Sequence, residues 1–376
     1  MNIININDTS NKLYYIGGIV RDELLGREAF DVDITYVGNA IEYCSKFGEV
    51  IQENPDFGTV KVNVNGFEID FASTRSEIYP HKGHLPVVSK IGCTLKEDVM
   101  RRDFTINALA KSVTTGEIVD YTGGLEDIQN KKLRVLHDES FIDDPTRIIR
   151  ALKFSVRFGF ELDEHSQKLQ EDYLKNINYD MSFKRVKKEL IETFNLNSQK
   201  AFEKFINEKI YKLVTKKEIN LPEINIENLV KKYNPEIIWL VYVGVLEDLS
   251  NLPLTKIEQK ILDDIPKDNL KTDFKIYKAF EKCRLETVLL YAILKDEKIA
   301  THYLDNLQNI KTSITGKDLQ NLGLQPSPKY QEIFDEVLKE KLKNPQMLKQ
   351  DELEFLKRFL KNIIWKVKKY LIFKYI

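Results

Sequence analysis

The sequence has few cysteines and no long apolar run. Its three cysteines, Cys44, Cys93 and Cys283, are far apart in a chain of 376 residues and lack the spacing of metal ligands. This pattern argues against a disulfide framework and is typical of a reducing compartment. The longest apolar stretches, such as Ile237 to Leu246, are too short to cross a bilayer. The first residues also lack the segments of a signal peptide, so we expect a cytoplasmic protein without membrane association.

Net charge is nearly absent as well. The chain has 57 basic and 58 acidic residues, which gives a formal charge of -1 at pH 7. Any surface that binds nucleic acid must therefore be local and offset by acidic surface elsewhere. The hydrophobic fraction of 42% and the charged fraction of 31% are typical of soluble globular proteins. The length predicts more than one domain.

The first 137 residues alternate between strand-like and helix-like segments. Asn65-Gly66, between the strand-like runs 59–64 and 67–73, is a strong signal for a β-hairpin. Further strands are predicted at 13–16, 31–37 and 117–121, and helices at 19–25, 39–47 and 98–109. Residues 75–96 contain two prolines and two glycines and predict a long loop. Loops of this length are usually functional or mobile.

Strand signals stop after residue 138, and almost everything that follows is predicted to be helical. Pro145 marks the start of a buried helix at 146–158. We therefore predict an α+β fold class, with an N-terminal head of sheet and helices followed by all-α segments. The predicted domains are the head at 1–137, a neck at 138–198, a body at 199–310 and a tail at 311–376.

Residues 14 to 34, YYIGGIVRDELLGREAFDVDI, contain the first chemical signal. Asp31 and Asp33 alternate along a predicted strand and therefore share a face. Two carboxylates this close repel each other unless a cation lies between them. Gly17 and Gly18 let the backbone approach a ligand, and a helix that starts there favours an anion. Together these features predict phosphoryl transfer, and the alternative for the aspartate pair is a solvated strand end.

Two further clusters fit the same chemistry. A two-metal site needs a third carboxylate, and Glu68 and Asp70 lie on one face of their strand; the pattern does not choose between them, and we favour Asp70. Arg101 to Ala108 offers arginine forks for phosphate or ribose and Asp103 as an acceptor for a sugar hydroxyl. The alternative for Asp103 is a helix start whose acid caps its own dipole.

Four motifs resemble those of class II tRNA nucleotidyltransferases. They are GGIVRDELLG with DVD, RRDFTINA, DYTGGLEDI and DDPTRIIRALKF, in this order within residues 14 to 160. The family includes CCA-adding, CC-adding and A-adding enzymes and bacterial poly(A) polymerases. The resemblance implies a polymerase β-like head, Mg²⁺ as cofactor, CTP and ATP as substrates, and the 3′ end of a tRNA as partner. It implies no protein partner.

The resemblance also assigns roles to single positions. Asp31 and Asp33 would hold Mg²⁺, beside Asp70, which we favour from the strand pattern as the third catalytic carboxylate. Arg102 and Asp103 would bind the nucleotide and favour ribose over deoxyribose. The whole predicted nucleotide-binding set is Gly17, Gly18, Arg21, Arg102, Asp103, Asn107, Asp144, Arg147, Arg150 and Lys153.

In the family, positions equivalent to Asp144 and Arg147 read the incoming base, and hydrogen-bond chemistry explains how. Cytosine and adenine each present an amino donor beside a ring-nitrogen acceptor, whereas guanine and uracil reverse that order. A carboxylate only accepts and a guanidinium only donates. The pair can therefore accept C and A and reject G and U without a template. The alternative is an i, i+3 ion pair on the surface.

Some positions depart from the family pattern. Family members usually carry arginine where this chain has Lys153, and lysine loses the planar fork. Asp143 stands where glutamate is usual. Arg150, Lys153 and Arg157 form a basic stripe for triphosphate or primer. A later helix, 182–190, resembles the last family motif loosely, and its alternative is a solvated face.

The tail is predicted to bind RNA. ITGKDLQNLGL at 314–324 resembles the start of a family tail segment, and the C-terminus has no acid after Glu354. Its basic residues are Lys357, Arg358, Lys361, Lys366, Lys368, Lys369 and Lys374. An ordinary amphipathic helix is the alternative.

The rival functions are a bacterial poly(A) polymerase and a non-catalytic RNA-binding relative. DFGTVKV at 56–62 resembles CCA-type members, and the Gly-basic-basic-Phe signature of the polymerase branch is absent. The second rival is disfavoured because all the carboxylates and the base-reading pair are present. The full-length 75–96 segment favours an ability to add A.

Overall fold

The structure, a computed structural model, describes residues 6, 8, 10–28, 32–268 and 270–373, with the side chains of 362–373 excepted. The chain divides into two compact units. The first comprises residues 1–227 and 238–254, and the second comprises 228–237 and 255–376.

The N-terminal part of the first unit contains the strands and short helices. They are β1 (Leu13–Ile16), α1 (Gly18–Leu24), β2 (Asp33–Tyr36), α2 (Ala40–Cys44), β3 (Glu49–Asn54), β4 (Thr59–Val64), β5 (Phe67–Ser73), β6 (Arg75–Ile78), β7 (Val87–Ile91), α3 (Leu95–Met100), β8 (Ala110–Ser112), β9 (Ile118–Val119), α4 (Gly124–Gln129) and β10 (Lys132–Leu133).

Helices dominate the rest of the chain. They are α5 (Ser140–Asp143), α6 (Thr146–Phe158), α7 (Glu164–Lys175), α8 (Phe183–Phe194), α9 (Gln199–Asn207), α10 (Ile226–Tyr233), α11 (Ile238–Val243), α12 (Lys256–Asp263), α13 (Asp273–Phe280), α14 (Leu285–Leu294), α15 (Glu297–His302), α16 (Gly316–Asn321), α17 (Tyr330–Lys343) and α18 (Lys349–Phe373). A last short strand, β11 (Glu161–Leu162), follows α6.

A seven-stranded sheet with the order β3-β4-β5-β2-β1-β8-β9 forms the centre of the head. Only β2 and β5 run parallel to each other; the other neighbours in this sheet are antiparallel. Asn65 and Gly66 both have positive φ, 53° and 90°, as a two-residue hairpin turn requires. Ile34, Val62 and Ile69 are fully buried on the apolar face of the sheet.

Several predicted boundaries are confirmed to the residue. Strands 13–16, 59–64 and 67–73 and helix 146–158 have the predicted limits. Gly159, at φ 73°, adopts the left-handed conformation that ends α6. The predicted order of a mixed head followed by a helical remainder is therefore correct.

The prediction of a long loop at 75–96 is wrong. Residues in this segment form the antiparallel pair β6 and β7, a two-stranded sheet of its own, and then enter α3. The prolines and glycines that predicted a loop lie between and after these strands rather than within them. We call the segment from Arg75 to Ile91 the β6–β7 hairpin.

The predicted helix at 98–109 is also wrong. Thr94 and Glu97 form a reciprocal capping box that starts α3 at Leu95. The helix ends at Met100, and the Asp103 carboxylate then accepts hydrogen bonds from the Phe104 amide and the Asn107 side chain. Such local bonds compete with helical ones, and residues 105–107 form only a 3₁₀ turn.

The sequence predicts no strand after residue 138, but the structure has one. Glu161 and Leu162 of β11 pair in parallel with Lys132 and Leu133 of β10. The two strands lie on either side of α5 and α6 in the chain, so this pairing ties the start of the helical region to the end of the head. A two-residue strand leaves too short a pattern to detect in the sequence.

The second unit is helical, and its C-terminal part has a small core of its own. Leu319, Val337 and Leu356 are buried there together with Ile314. Glu352 is fully buried; it accepts from Lys341 and from the backbone amides of residues 313 and 314. In the described part of the chain, no helix is long and apolar enough to cross a membrane.

Candidate active site

Two of the three predicted catalytic carboxylates lie on neighbouring strands. Asp33 of β2 is in register with Asp70 of the parallel strand β5. Side chains in register on adjacent strands leave the same face of a sheet, and both residues are exposed there. Glu68 lies two residues earlier on β5. The register therefore makes Asp70 the direct neighbour of Asp33, whereas Asp31 lies outside the described residues.

The donor set on this face fits a hard divalent cation. Carboxylate oxygens are the ligands that such cations prefer, and Asp33 and Asp70 are exposed side by side. Lys61 lies nearby, with Nζ 3.4 Å from Asp70 Oδ2 and 3.7 Å from Glu68 Oε2. Exposed pairs of this kind stabilise little. Within the described residues no three His, Cys, Asp or Glu side chains cluster as metal ligands, so the predicted set needs Asp31.

The glycine turn lies directly against two arginines of the predicted nucleotide-binding set. Gly17 has φ 72°, and a Cβ at this position would lie 3.0 Å from Arg102 Nη1. A Cβ on Gly18 would lie 3.6 Å from Arg21 Nη2. Side chains at Gly17 would thus be disfavoured both by backbone conformation and by space. The turn and the two arginines form one small region of the head.

Arg21 is almost fully buried and joins three elements. Its Nη1 donates to Asn107 Oδ1, while Nε and Nη2 donate to Asp22 Oδ1 at 2.8 and 2.7 Å. The guanidinium also lies 4.4 Å from the ring centre of Phe158 and 5.3 Å from that of Phe154, both on α6. A guanidinium over a ring face is attracted to it. Arg21 therefore fixes α1 against Asn107 and against the first long helix after the head.

Asp103, the predicted sugar-binding acid, is held by α6. Its Oδ2 accepts from Arg150 Nε at 2.8 Å and Nη2 at 2.5 Å, and its Oδ1 accepts from Asn107 Nδ2 at 2.9 Å. Burial alone would raise the pKa of Asp103, but Arg150 and Asn107 together hold it below its ordinary value. The group is an ionised acceptor at neutral pH.

Arg101 and Arg102 share one buried partner. Asp98 is fully buried and accepts from Arg101 Nη2 at 2.8 Å and from Arg102 Nη2 at 3.2 Å. Arg102 Nε is buried and has no hydrogen-bond partner within the described chain. Arg101 is further tied to Glu77 on β6 at 3.0 Å. Arg102 is therefore the arginine that keeps a donor uncommitted beside the glycine turn.

Asp144 is a buried acceptor at the start of α6. It is 5% exposed; Oδ1 accepts from the Thr146 amide and hydroxyl at 3.1 and 2.6 Å, and Oδ2 accepts from Arg185 Nη2 at 2.5 Å. A carboxylate at this position is favoured because it binds the free N–H groups of the first helical turn. The Thr146 and Arg185 contacts fix its orientation from two sides.

Arg147 lies one turn further along α6 and is 3% exposed. Its Nη1 donates to Ser140 Oγ at 2.6 Å, and its Nη2 donates to the Arg101 carbonyl at 3.1 Å and to the Tyr79 hydroxyl at 3.3 Å. The interpretation of Asp144 and Arg147 as a surface ion pair is therefore wrong, since both are buried and each has other partners. Their role as base readers stays a prediction.

Arg150 and Lys153 are committed to ion pairs with α8. Arg150 Nη1 lies 3.3 Å from Glu189 Oε1, and Lys153 Nζ lies 2.7 Å from Glu189 Oε2 and 2.6 Å from Glu192 Oε2. Lys153 is 8% exposed. Direct contacts of Arg150 and Lys153 with a nucleotide stay predictions, and a rearrangement of these pairs would be needed to free either side chain fully.

The comparisons with known proteins add to this geometry. Residues 13–134 match the family model of the poly A polymerase head domain. The sequence is 46% identical over 165 residues to an A-adding tRNA nucleotidyltransferase of Aquifex aeolicus. The matched segment covers 42% of this chain and 20% of the relative. It is 31% identical over 398 residues to the A-adding tRNA nucleotidyltransferase of Geobacter sulfurreducens, and this match covers 92% of this chain and 45% of the relative. Residues 13–134 therefore form a head domain of the poly A polymerase type, and the chain as a whole is similar to A-adding tRNA nucleotidyltransferases.

Relatives of this family also match over nearly the full chain. The A-adding tRNA nucleotidyltransferase of Halalkalibacterium halodurans is 29% identical over 92% of this chain and 88% of its own length. A solved CCA-adding enzyme in an apo form superposes with a TM-score of 0.80 at 25% identity and covers 95% of this chain and 94% of that one. These matches confirm the predicted resemblance and the predicted fold class. The chain spans less than half the length of the Aquifex and Geobacter relatives.

Three residues of this candidate site carry no recognisable signal in the sequence. Tyr79 and Ser140 bind Arg147, and Lys82 of the β6–β7 hairpin pairs with Asp143 and, at 2.7 Å, with Glu139. The hydrogen bonds to Asp143 and Glu139 raise the pKa of Lys82. The alternating pattern of the hairpin strands was the available signal, but it identifies the strands and not their partners.

Proposed function

We propose that this protein is a template-independent nucleotidyltransferase that adds C, A or both to the 3′ end of a tRNA. CTP and ATP are the substrates, and pyrophosphate is released. The observation that carries the proposal is the register of Asp33 with Asp70 on the exposed face of the head sheet. This pair supplies the acidic face that nucleotidyl transfer needs.

Mg²⁺ fits these carboxylates, with Asp31, Asp33 and Asp70 as the residues that would hold it. When bound, such a cation lowers the pKa of the attacking 3′-hydroxyl and stabilises charge on the phosphates. The glycine turn, Arg21 and Arg102 orient the triphosphate. Most of the catalysis then comes from positioning and charge neutralisation.

Nucleotide selection rests on buried groups. Asp103 accepts a further hydrogen bond from a ribose hydroxyl, and a deoxynucleotide lacks the donor for this bond. Asp144 accepts a hydrogen bond from the amino group of C or A, and Arg147 donates one to the adjacent ring nitrogen. Guanine and uracil present the opposite order and place donor against donor and acceptor against acceptor.

The tRNA is proposed to bind the helical part of the chain, chiefly the tail. Lys357, Arg358 and Lys361 of α18 are exposed, while Leu356 on the same helix is buried. The other basic residues predicted for this role, at 366, 368, 369 and 374, lie outside the described side chains. The solved relatives include a Thermotoga maritima CCA-adding enzyme complexed with tRNA, whose fold this chain shares with a TM-score of 0.77. Further solved CCA-adding enzymes hold ATP or CTP.

The proposed organisation is a catalytic head at 1–137, a base-reading neck at 138–198, a helical body at 199–310 and an RNA-binding tail at 311–376, in a cytoplasmic protein. Curated relatives include A-adding and CCA-adding enzymes. We favour a repertoire that includes A, because the A-adding relative from Aquifex is 46% identical over its matched segment. A bacterial poly(A) polymerase is the second candidate.

The test uses purified protein and two tRNA transcripts, one without its 3′ triplet and one that ends in CC. Each is incubated with CTP, ATP or both, and the products are resolved nucleotide by nucleotide. Metal-dependent addition of a single A to the CC end, with or without preceding C addition, supports the proposal. Long ATP-only tails on generic RNA would assign the protein to the poly(A) polymerases, and no metal-dependent incorporation would leave a non-catalytic RNA-binding relative.

A further inference from the structure

One face of α8 contacts both predicted nucleotide readers. Arg185 and Glu189 are four residues apart on this helix and therefore neighbours on its surface. Arg185 binds Asp144, the predicted base reader, and Glu189 binds Arg150, which holds Asp103, the predicted sugar reader. Neither α8 residue belongs to the predicted nucleotide-binding set.

Arg185 links the base reader to the β6–β7 hairpin. Its Nη2 donates to Asp144 Oδ2 at 2.5 Å, and its Nη1 lies 3.3 Å from the carbonyl of His84. The two nitrogens of this guanidinium fork hold different acceptors, so the fork fixes the direction of its one charge-assisted bond to Asp144. Without that bond, Asp144 keeps only the two bonds from Thr146, both to its other oxygen.

Glu189 acts on the sugar reader through one intermediate. It is 8% exposed and accepts from Arg150 Nη1 at 3.3 Å and from Lys153 Nζ at 2.7 Å. Arg150 uses its remaining edge, Nε and Nη2, to hold Asp103 Oδ2. Glu189 thus fixes the plane of the guanidinium that aims the Asp103 carboxylate.

We propose that α8 controls nucleotide selection through two separate arms, with Arg185 positioning the base reader and Glu189 positioning the sugar reader. Both are positioning residues, since neither needs to touch the nucleotide. The hydrogen bonds of the two arms share no side chain: Thr146 and Arg185 hold Asp144, whereas Asn107 and Arg150 hold Asp103, and Glu189 holds Arg150. The inference rests on the proposed function, because it requires a base and a sugar to be read.

A purely structural role for α8 makes a different prediction. If α8 only packed against α6, weakening either contact would lower kcat/KM for all nucleotides by one common factor. Positioning arms instead change ratios. The preference for C and A over G and U depends on Asp144, and the preference for ribose over deoxyribose depends on Asp103. The Arg185 variant should therefore change the first ratio of kcat/KM values and the Glu189 variant the second.

The test compares Arg185→Gln and Glu189→Gln with Lys184→Gln and Lys188→Gln, which change exposed lysines on the same helix. For each protein, kcat/KM is measured with CTP, ATP, GTP, UTP and the deoxy forms of CTP and ATP on the two tRNA transcripts. Loss of one charge-assisted contact predicts a change of about tenfold in the affected ratio. Arg185→Gln should lower the preference for C and A over G and U with the ribose preference kept. Glu189→Gln should lower the ribose preference with the base preference kept, and both lysine variants should keep both ratios.

Equal loss for all six nucleotides in either α8 variant would overturn the proposal. Should Arg185→Gln fail to fold, as judged by thermal melting, Arg185→Lys keeps the charge, loses the fork and should still shift the base ratio in the same direction. A wild-type protein that adds neither C nor A would instead overturn the proposed function and this inference with it. Wild-type activity with unchanged ratios in both variants would overturn the inference alone.

Discussion

The two halves of the candidate site handle charge in opposite ways. Asp33 and Asp70, on the sheet face, are exposed, whereas Asp103, Asp144 and Arg147 are 8%, 5% and 3% exposed. Each of the three buried groups has two or more partners from the protein. The face proposed for the reaction is thus exposed, whereas the residues proposed for selection are buried and bonded to the protein.

This difference is what the proposed task of each half requires. A buried charge without partners is very costly, so groups that read a nucleotide by hydrogen bonds need a prebuilt network. Such a network also orients them before the substrate arrives, which improves discrimination. Carboxylates that bind a metal need the reverse, because an internal cation would compete for them. Lys61, half-exposed and beyond 3 Å from Asp70, competes only weakly.

The largest effect is expected at Asp33. Asp33→Asn removes a negative charge from the metal face and changes the shape little, so incorporation of C or A should fall by about 10³-fold or more. Single-turnover incorporation into tRNA measures this. Glu68→Gln, the matched change on the same face, should cost only about twofold. Near-normal turnover of Asp33→Asn would remove this face from the mechanism.

A smaller effect is expected at the base reader. Asp144→Asn replaces one acceptor oxygen with a donor, so discrimination against U and G should fall by about 10–100-fold, as the loss of about 1–3 kcal/mol per bidentate contact implies. The readout is the ratio of kcat/KM values for CTP and UTP and for ATP and GTP. If both ratios stay constant while activity falls, Asp144 supports α6 and does not read the base.

Changes in the β6–β7 hairpin are expected to slow the addition of A several-fold relative to the addition of C. Deleting residues 79–92 should spare C addition and impair A addition, but this deletion also removes β7 and the Tyr79 contact with Arg147. Lys82→Met is a sharper change, since it removes only the ion pairs with Asp143 and Glu139. We expect slower addition of A to a tRNA that ends in CC, with C addition unchanged. Equal loss of both would refute a role of the hairpin in A addition.

The smallest effect is expected at His137, beside Arg147. Burial, and next the charge of Arg147, lower the pKa of His137 from its ordinary value of 6.5. Because the folded-state pKa is lower than the unfolded one, the contribution to stability is full above pH 6.5 and is lost as the pH falls through the folded-state value. The melting temperature of wild type should therefore fall more steeply with decreasing pH below 6.5 than the melting temperature of His137→Gln. His165→Gln, a change at an exposed histidine, is the control, and parallel curves for wild type and His137→Gln would contradict the assignment.

The sequence predicts this molecule best where a signal is local. Asn65-Gly66 predicts the turn between β4 and β5, and Pro145 marks the start of α6. Local signals can also mislead: the prolines and glycines of 75–96 predict a loop where two strands form, and the predicted helix at 98–109 misses the start that the capping box of Thr94 and Glu97 gives to α3.

The partners of the site residues could not be predicted, because they are tertiary. Arg185 lies 41 residues from Asp144, and Arg150 lies 47 residues from Asp103. A sequence shows which groups can read a nucleotide, but the packing of α6 against α8 decides what holds them. The register of β2 with β5 likewise favours Asp70 over Glu68, which the strand pattern left open.

The separation of reaction from selection is tested most directly by nucleotide binding to Asp33→Asn. Equilibrium dissociation constants for CTP, ATP, GTP and UTP are measured on this variant and on wild type under the same metal concentration. We expect Asp33→Asn to keep the wild-type preference for C and A over G and U, although it no longer incorporates them. Loss of that preference together with incorporation would contradict the account, since it would show that one set of residues performs both tasks.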